Sequence, residues 1–149
     1  MNPATRQLGL EINALLGASR ALTERSAAAF HEDLRPAAFH IARWLYAYGP
    51  AKPSDVAEAV AMDRSSTSAL LKRMASLDLT QSSRTPEDGR SMLVSLTPTG
   101  RSQVERALAL RQGELEQRVE GWPEADLAAL VSLLHRFNRP QQPSDDSNT

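Results

Sequence analysis

The sequence predicts a mainly α fold with a small β-hairpin wing, and three observations support that prediction. Apolar residues recur at helical spacing along most of the chain, as expected of helices that bury one face. Residues 91–96 instead follow a period of two, which is typical of a strand, and residues 81–84 supply its partner. Between these two segments lies TPEDGR, residues 85–90, whose composition is typical of a turn.

Composition limits the class of protein. The 149 residues suit one domain, or two small lobes that share a core. Hydrophobic residues make up 41% of the chain, yet no stretch approaches the roughly 18 consecutive apolar residues of a membrane-spanning helix. The absence of cysteine excludes disulfides, thiolate catalysis and cysteine-ligated metal centres. Because the N-terminus has no long apolar segment, we expect a cytoplasmic protein without membrane association.

Two helices are predicted first. An apolar stripe predicts one long helix over residues 5–31, which must pack on another surface because isolated long helices are rarely stable. Pro36 suits the first turn of a second helix, where its missing N–H costs nothing. Gly49 and Pro50 end that helix.

A short helix, a tight turn and another helix follow. The short helix covers about residues 53–60, and Asp63 is a good N-cap for a helix that begins at Arg64. The inward stripe of this second helix consists of Thr67, Leu70, Leu71, Met74 and Leu77. Followed by the hairpin, this pair predicts a winged helix-turn-helix, whose second helix enters the major groove of DNA.

Candidate DNA contacts lie on that second helix and on the wing. Small polar or basic side chains suit a helix that approaches base edges, and a wing arginine suits the negative potential of a narrow minor groove. The candidate DNA-binding residues are Arg64, Ser65, Ser66, Ser68, Lys72, Arg84 and Arg90. Free N–H groups at the helix start would also favour a phosphate. The alternative is that Arg64 and Lys72 are solvated helix residues and that Asp88 and Arg90 form a surface ion pair.

Two further helices complete the chain. Thr97 suits the cap and Pro98 the first turn of a helix over residues 98–119. Trp122 and Pro123 start a last helix with a pronounced apolar stripe. From Arg139 onwards the tail has no apolar residue, and we expect residues 139–149 to be disordered.

Four segments of the winged helix carry a resemblance to a known family: DRSSTS at residues 63–68, LLKRM at 70–74, DGR at 88–90, and LVSLT at 93–97 followed by Gly100. At these residues the chain resembles the MarR group, the multiple-antibiotic-resistance regulators. The resemblance implies a homodimer whose N- and C-terminal helices interlock into one lobe. Each subunit would offer its winged helix to half of a pseudo-palindromic operator in double-stranded DNA, and repression is the commonest outcome in the family.

The resemblance also implies a domain division and residue roles. The N-terminal dimerisation helix would be residues 1–34, the DNA-binding domain 35–101 and the C-terminal dimerisation helices 102–138. Carried over by position, the residues of the recognition helix that would face the groove are Ser65, Ser66, Ser68 and Lys72, and Arg73 would brace this helix. In the wing, Arg90 would be the arginine that contacts DNA, and Asp88 would hold Arg90 in place. Departures from the family pattern are Ala69, Asp78, Ser82, Ser83 and Thr85.

Many members of the family respond to small lipophilic or phenolic ligands, so the resemblance also implies a pocket for such a ligand. The candidate lining residues are Leu16, Arg20, Phe39, Arg43 and Trp44. The alternative for the aromatic residues is ordinary core or interface packing, and an exposed arginine is the default for the two cations. The three histidines lack the spacing of a metal motif, and we expect neither a metal nor a cofactor.

The net charge of −1 conceals an uneven distribution along the chain. Residues 35–101 contain nine basic and six acidic residues, a net charge of +3, whereas residues 102–149 carry −3 and residues 1–34 carry −1. The positive segment coincides with the predicted winged helix, so the overall charge does not count against DNA as a partner, and a charge of +3 is mild. No catalytic motif is present, so we do not expect an enzyme. The alternative function, motivated by Ala69, Ser82 and Ser83, is a winged-helix protein-interaction module with weak or no DNA binding.

Overall fold

The computed structural model describes residues 2–87 and 89–139. The bracing role expected of Asp88 and the disorder expected of residues 140–149 therefore lie outside the described residues. Within them the elements, in chain order, are α1 Pro3–Phe30, α2 Pro36–Tyr48, α3 Pro53–Ala59, α4 Arg64–Ser76, β1 Thr80–Arg84, β2 Met92–Leu96, α5 Pro98–Arg118 and α6 Glu124–Asn138. The predicted fold class, mainly α with one hairpin, is confirmed.

Local capping explains why the helix ends lie within two residues of their predicted positions. Helix α1 begins at Pro3 because the Asn2 side chain accepts a 2.9 Å hydrogen bond from the Ala4 N–H. Helix α2 stops at Gly49, whose φ of 75° lies in the left-handed region that glycine adopts readily. Pro123 is the N-cap of α6, so this helix begins one residue later, at Glu124.

The two strands form an antiparallel hairpin whose register runs from Thr80 opposite Leu96 to Arg84 opposite Met92. On its other edge β2 pairs with the segment after α2, because Ala51 and Val94 exchange backbone hydrogen bonds of 3.0 and 2.8 Å. The hairpin is therefore attached at two places: hydrogen bonds join it to the segment between α2 and α3, and the chain joins it to the end of α4.

The chain divides at residue 114 into two compact units. In the first unit, α1 is buried only over its second half, at Leu22, Ser26, Ala27 and Phe30, and its first half is exposed. The rings of Phe30 and Phe39 lie 5.9 Å apart. Around them a continuous core collects fully buried side chains from α2, α3, α4, α5 and the segment that follows α4, including Ile41, Val56, Met74, Leu79 and Val104.

The start of α5 is held against the end of the α4 segment. The Thr97 hydroxyl donates to the Asp78 carbonyl and accepts a 2.9 Å hydrogen bond from the Gly100 N–H, which confirms Thr97 as a helix cap. A Cβ added at Gly100 would lie 2.0 Å from the Leu79 carbonyl oxygen. Asp78 itself has a φ of 59°, and its carboxylate accepts a hydrogen bond from the Thr99 hydroxyl. Position 78 tolerates a residue other than glycine because Asp is one of the residues that adopt the left-handed conformation more easily than most.

The second unit contains α6, and none of its residues is buried. One face of this helix carries exposed apolar side chains at Leu127, Leu130, Val131, Leu134 and Phe137. The spacing of these residues places them on a single stripe of the helix. Across the described part of the chain, no helix combines the length and the apolar character needed to cross a membrane.

The close approach at Gly100 predicts that Gly100→Ala is strongly destabilising. The added methyl must displace the Leu79 backbone, and overpacking of this kind costs about 1–3 kcal/mol or more. For a chain of this length, thermal denaturation should show a Tm lower by about 5 °C or more.

The matched control is Gly113→Ala in the same helix, where an added Cβ meets nothing within 4 Å. Alanine is the better helix former, so this variant should keep or raise the Tm. A Gly100→Ala protein as stable as the unaltered chain would contradict the close packing of α5 on Leu79.

Candidate nucleic-acid interface

Helix α4 begins at a side-chain cap. The Asp63 carboxylate accepts a 2.7 Å hydrogen bond from the Ser66 N–H, and the Thr67 hydroxyl donates to the Asp63 carbonyl. The hydrogen bond from the Ser66 backbone, helped by the Ser66 hydroxyl, lowers the pKa of the Asp63 carboxyl below its ordinary value of 3.8. The cap is therefore ionised at neutral pH, and its stabilising effect is lost only as the pH falls below 3.8. The Ser66 N–H is thus occupied by the predicted Asp63 cap.

Packing determines which side of α4 faces outwards. Thr67, Leu70, Leu71 and Met74 are buried in the core. Successive helical residues are rotated by about 100°, so the positions opposite this buried stripe are Ser65, Ala69, Lys72 and Ser76. All four are exposed. We call these four residues the outer stripe of α4.

The candidate residues of α4 occupy different parts of its surface. Ser65 and Lys72 belong to the outer stripe, and Arg64 and Ser68 are exposed on one flank. Ser66 is half-buried on the opposite flank, beside the Asp63 cap, so it lies away from the centre of the exposed face. Reasoning from residue type did not select Ala69 or Ser76. Their helical offset from the buried stripe is the signal that identifies them.

Hydrogen bonds close the loop between β1 and β2, which forms the wing tip. Thr85 donates its N–H to the Ser91 carbonyl, and Gly89, with a φ of 64°, donates its N–H to the Thr85 carbonyl. The Arg84 guanidinium donates a 3.2 Å hydrogen bond to the Gly89 carbonyl. Arg84 thus braces the loop in which Arg90 is exposed.

Helix α4 and the wing carry five exposed cations. They are Arg64, Lys72, Arg73, Arg84 and Arg90. The guanidinium of Arg73 makes no hydrogen bond or ion pair with the described residues, so its predicted bracing role stays a prediction. Ser82 and Ser83 on β1 are exposed and uncharged. The surface combines short side chains on the helix with long cationic ones around them.

Away from the outer stripe of α4 and the wing, a groove of about 620 Å³ lies against α2. His40, Arg43, Trp44 and Tyr48 line it from α2, together with Ala47 and residues 59–61. The Trp44 and Tyr48 rings are 5.2 Å apart. Partial burial, with Arg43 and Arg111 nearby, lowers the pKa of His40 below 6.5, so its imidazole is neutral at pH 7.

Two of the five candidate ligand residues, Arg43 and Trp44, line this groove. Phe39 does not, because it is fully buried in the core, where its ring lies 5.9 Å from that of Phe30. Leu16 and Arg20 are exposed on α1 and do not line the groove. Within the described ranges, no three His, Asp or Glu side chains gather closely enough to hold a metal.

Comparison with known proteins assigns the same region to one family. Residues 34–92, which include α2, α3, α4 and the wing loop, match the model of the MarR family. The uncharacterized HTH-type transcriptional regulator YxaD of Bacillus subtilis is 25% identical over 107 residues, which cover 72% of this chain and 75% of that protein.

Solved structures extend the similarity over most of the fold. A MarR family protein from Bacillus stearothermophilus matches with a TM-score of 0.76 at 19% identity and covers 92% of this chain and 95% of its own. The Bordetella bronchiseptica protein BpsR, whose DNA binding is regulated by 6-hydroxynicotinic acid, is 28% identical with a TM-score of 0.53 and coverage of 87% and 99%. The predicted resemblance to the MarR family of transcriptional regulators is confirmed: the winged-helix region, residues 34–92, matches the model of that family, and a solved MarR family protein shares the fold.

Proposed function

We propose that the protein is a homodimeric, sequence-specific regulator that inserts two copies of α4 into the two halves of a pseudo-palindromic operator. The observation that carries the proposal is the orientation of α4. Its Leu70 and Met74 side is buried in the core, and its opposite side presents short polar side chains and Lys72 to the solvent. A recognition helix needs this combination of a held inner face and an accessible outer face.

Exposed cations supply the affinity that is independent of DNA sequence. Lys72 lies on the outer stripe of α4, Arg64 lies on its flank, and Arg90 lies in the wing, where a minor groove would receive it. Each phosphate that such a side chain neutralises releases counterions and steepens the salt dependence of binding. The net charge of +3 on residues 35–101 is modest, so two winged helices acting together matter for affinity.

The apolar face of α6 supports dimerisation. Leu130, Val131 and Leu134 are 37%, 60% and 39% exposed, although they lie on one stripe of an amphipathic helix. A stripe of this kind is normally covered by another apolar surface. A second copy of the chain is the occupant we propose. The symmetry of such a dimer would set two half-sites about one helical turn, or about 10 bp, apart.

The α2 groove supports regulation by a small aromatic acid. Arg43 offers a cation for a carboxylate, and the Trp44 and Tyr48 rings offer an aromatic wall. BpsR, a similar protein, is regulated by 6-hydroxynicotinic acid, which belongs to this chemical class. We propose that such a ligand lowers DNA affinity and relieves repression, in which case DNA must lower ligand affinity by the same factor.

The alternative function is a winged-helix module that binds proteins. The uncharged, exposed Ser82 and Ser83 on β1 favour it, because neither side chain can neutralise a phosphate. The two functions differ in their expected DNA binding: a regulator would bind DNA in a salt-sensitive way, whereas a protein-binding module would not.

Substitution of Lys72 or Arg90 by Ala should weaken DNA binding. If each side chain contacts one phosphate, the plot of log affinity against log salt concentration should become less steep, by about 0.9 for each contact that a subunit loses. Gel-shift titrations at two salt concentrations measure this change, and the Tm should stay constant because both side chains are exposed.

The matched control is Arg118→Ala, which removes an exposed arginine outside the winged helix and should leave the slope unchanged. If the unaltered protein binds no DNA in a salt-sensitive way, the regulator proposal fails and the protein-binding alternative is favoured. An Arg90→Ala variant that unfolds would contradict the role of Arg90 in DNA binding.

Leu134→Asp should convert the dimer into monomers, because it places a charge in the proposed α6 interface. Light scattering coupled to gel filtration measures the mass, and operator affinity should fall about 100-fold or more as the second recognition helix is lost. Ser132→Asp adds the same charge to the polar side of α6 and should remain dimeric. Equal behaviour of the two variants would count against this interface.

An aromatic carboxylate should quench Trp44 fluorescence. The chain has two tryptophans, so Trp122→Phe isolates the signal of Trp44. In that background Arg43→Gln should weaken the binding of 6-hydroxynicotinic acid about tenfold or more, because a charge-assisted contact is lost. Arg20→Gln should have no effect, since Arg20 does not line the groove. Equal binding of the corresponding uncharged amide would contradict the role of Arg43.

A further inference from the structure

The outer stripe of α4 contains one side chain that cannot form a hydrogen bond. Ala69 is exposed and lies directly between Ser65, one turn before it, and Lys72, three residues after it. Ser68 and Arg73 are exposed on either side of Ala69. Each of these four neighbours carries a hydrogen-bond donor, so the methyl of Ala69 is an isolated apolar spot within a polar surface.

The short side chains around Ala69 allow this methyl to reach a base. Apart from Arg64 on the flank, the exposed side chains in the first half of α4 are short, namely Ser65, Ser68 and Ala69, while the longer Lys72 and Arg73 follow in the second half. The N-terminal part of a recognition helix is the part that contacts base edges. The helix backbone can therefore approach the floor of the major groove at Ala69.

The chemistry of the groove then restricts the base that Ala69 can face. Guanine, adenine and cytosine present hydrogen-bonding groups there, and thymine alone adds a 5-methyl group. A polar edge placed against the Ala69 methyl would lose its water without gaining a partner, which is unfavourable. A thymine methyl placed there exchanges apolar surface for apolar surface.

We propose that Ala69 is a specificity-determining residue that contacts the 5-methyl group of one thymine in each half-site. This inference rests on the proposed function, since it needs α4 in the major groove. It assigns recognition to a residue that forms no side-chain hydrogen bond, and it predicts that the operator depends on a methyl group at one symmetric pair of positions.

Replacement of thymine by deoxyuridine tests the inference, because it removes the methyl and leaves the base-pairing edge intact. An operator selected from random DNA would be altered at one thymine at a time, in both half-sites together. At one pair of positions the affinity of the unaltered dimer should fall about fourfold per half-site, or about 15-fold in all.

Ala69→Ser should abolish this dependence, so that the thymine and deoxyuridine operators bind equally. Ala75→Ser is the matched control, because Ala75 is exposed on α4 outside the outer stripe, and it should retain the full dependence. Both variants should lower the Tm slightly and to the same extent, since both positions are exposed and serine is a weaker helix former than alanine.

Two results overturn the inference. One is an operator bound with salt-sensitive, sequence-specific affinity in which no thymine methyl matters. The other is a methyl dependence that Ala69→Ser retains. Both leave the proposed function intact. If the unaltered protein binds no DNA at all, the proposed function fails, and the inference fails with it.

Discussion

The burial of one face of α4 is the constraint on which the DNA-binding surface depends. Leu70, Leu71 and Met74 occupy the same core as Phe39 from α2 and Val56 from α3, so α4 cannot rotate about its axis without exposing them. This packing turns Ser65, Ala69 and Lys72 outwards. The Asp63 cap sets where the helix begins, and hence which residues belong to its first turn. The wing position follows from the same core through Val94 and Leu79.

Helix α2 connects the two surfaces for which we propose functions. Phe39 and Ile41 of α2 are fully buried in the core that also receives α4. His40, Arg43 and Trp44, at neighbouring positions on the same helix, line the groove instead. A ligand in the groove would therefore contact a helix whose other side packs in the core with α4. Coupling between ligand and DNA requires only that α2 adopt two positions with different ligand affinities.

Much of the fold was predictable because its boundaries are local. Asp63, Thr97 and Gly49 act through hydrogen bonds or backbone conformation within a few residues, and their positions in the sequence were sufficient to place the ends of α4, α5 and α2. The rotation of each helix was harder to predict, because it depends on tertiary packing. Aromatic character suggested a pocket role for Phe39, whereas the core surrounds it completely.

The site was predictable only where residue type and position agreed. Ser65 and Lys72 are polar and lie on the outer stripe, so both criteria select them. Ala69 lies on the same stripe, but residue type did not select it, because an apolar side chain does not suggest a DNA contact. The hydrogen bond from Arg84 to the Gly89 carbonyl depends on loop closure, which composition does not specify.

Selection of bound DNA from a random pool tests the central claim most directly, because every possible operator sequence competes for the protein at once. Two outward-facing α4 helices in a symmetric dimer predict an enriched pseudo-palindrome with half-sites about 10 bp apart and a recurrent thymine within each half. A pool with no enriched sequence, or with one unrepeated half-site, would contradict the account.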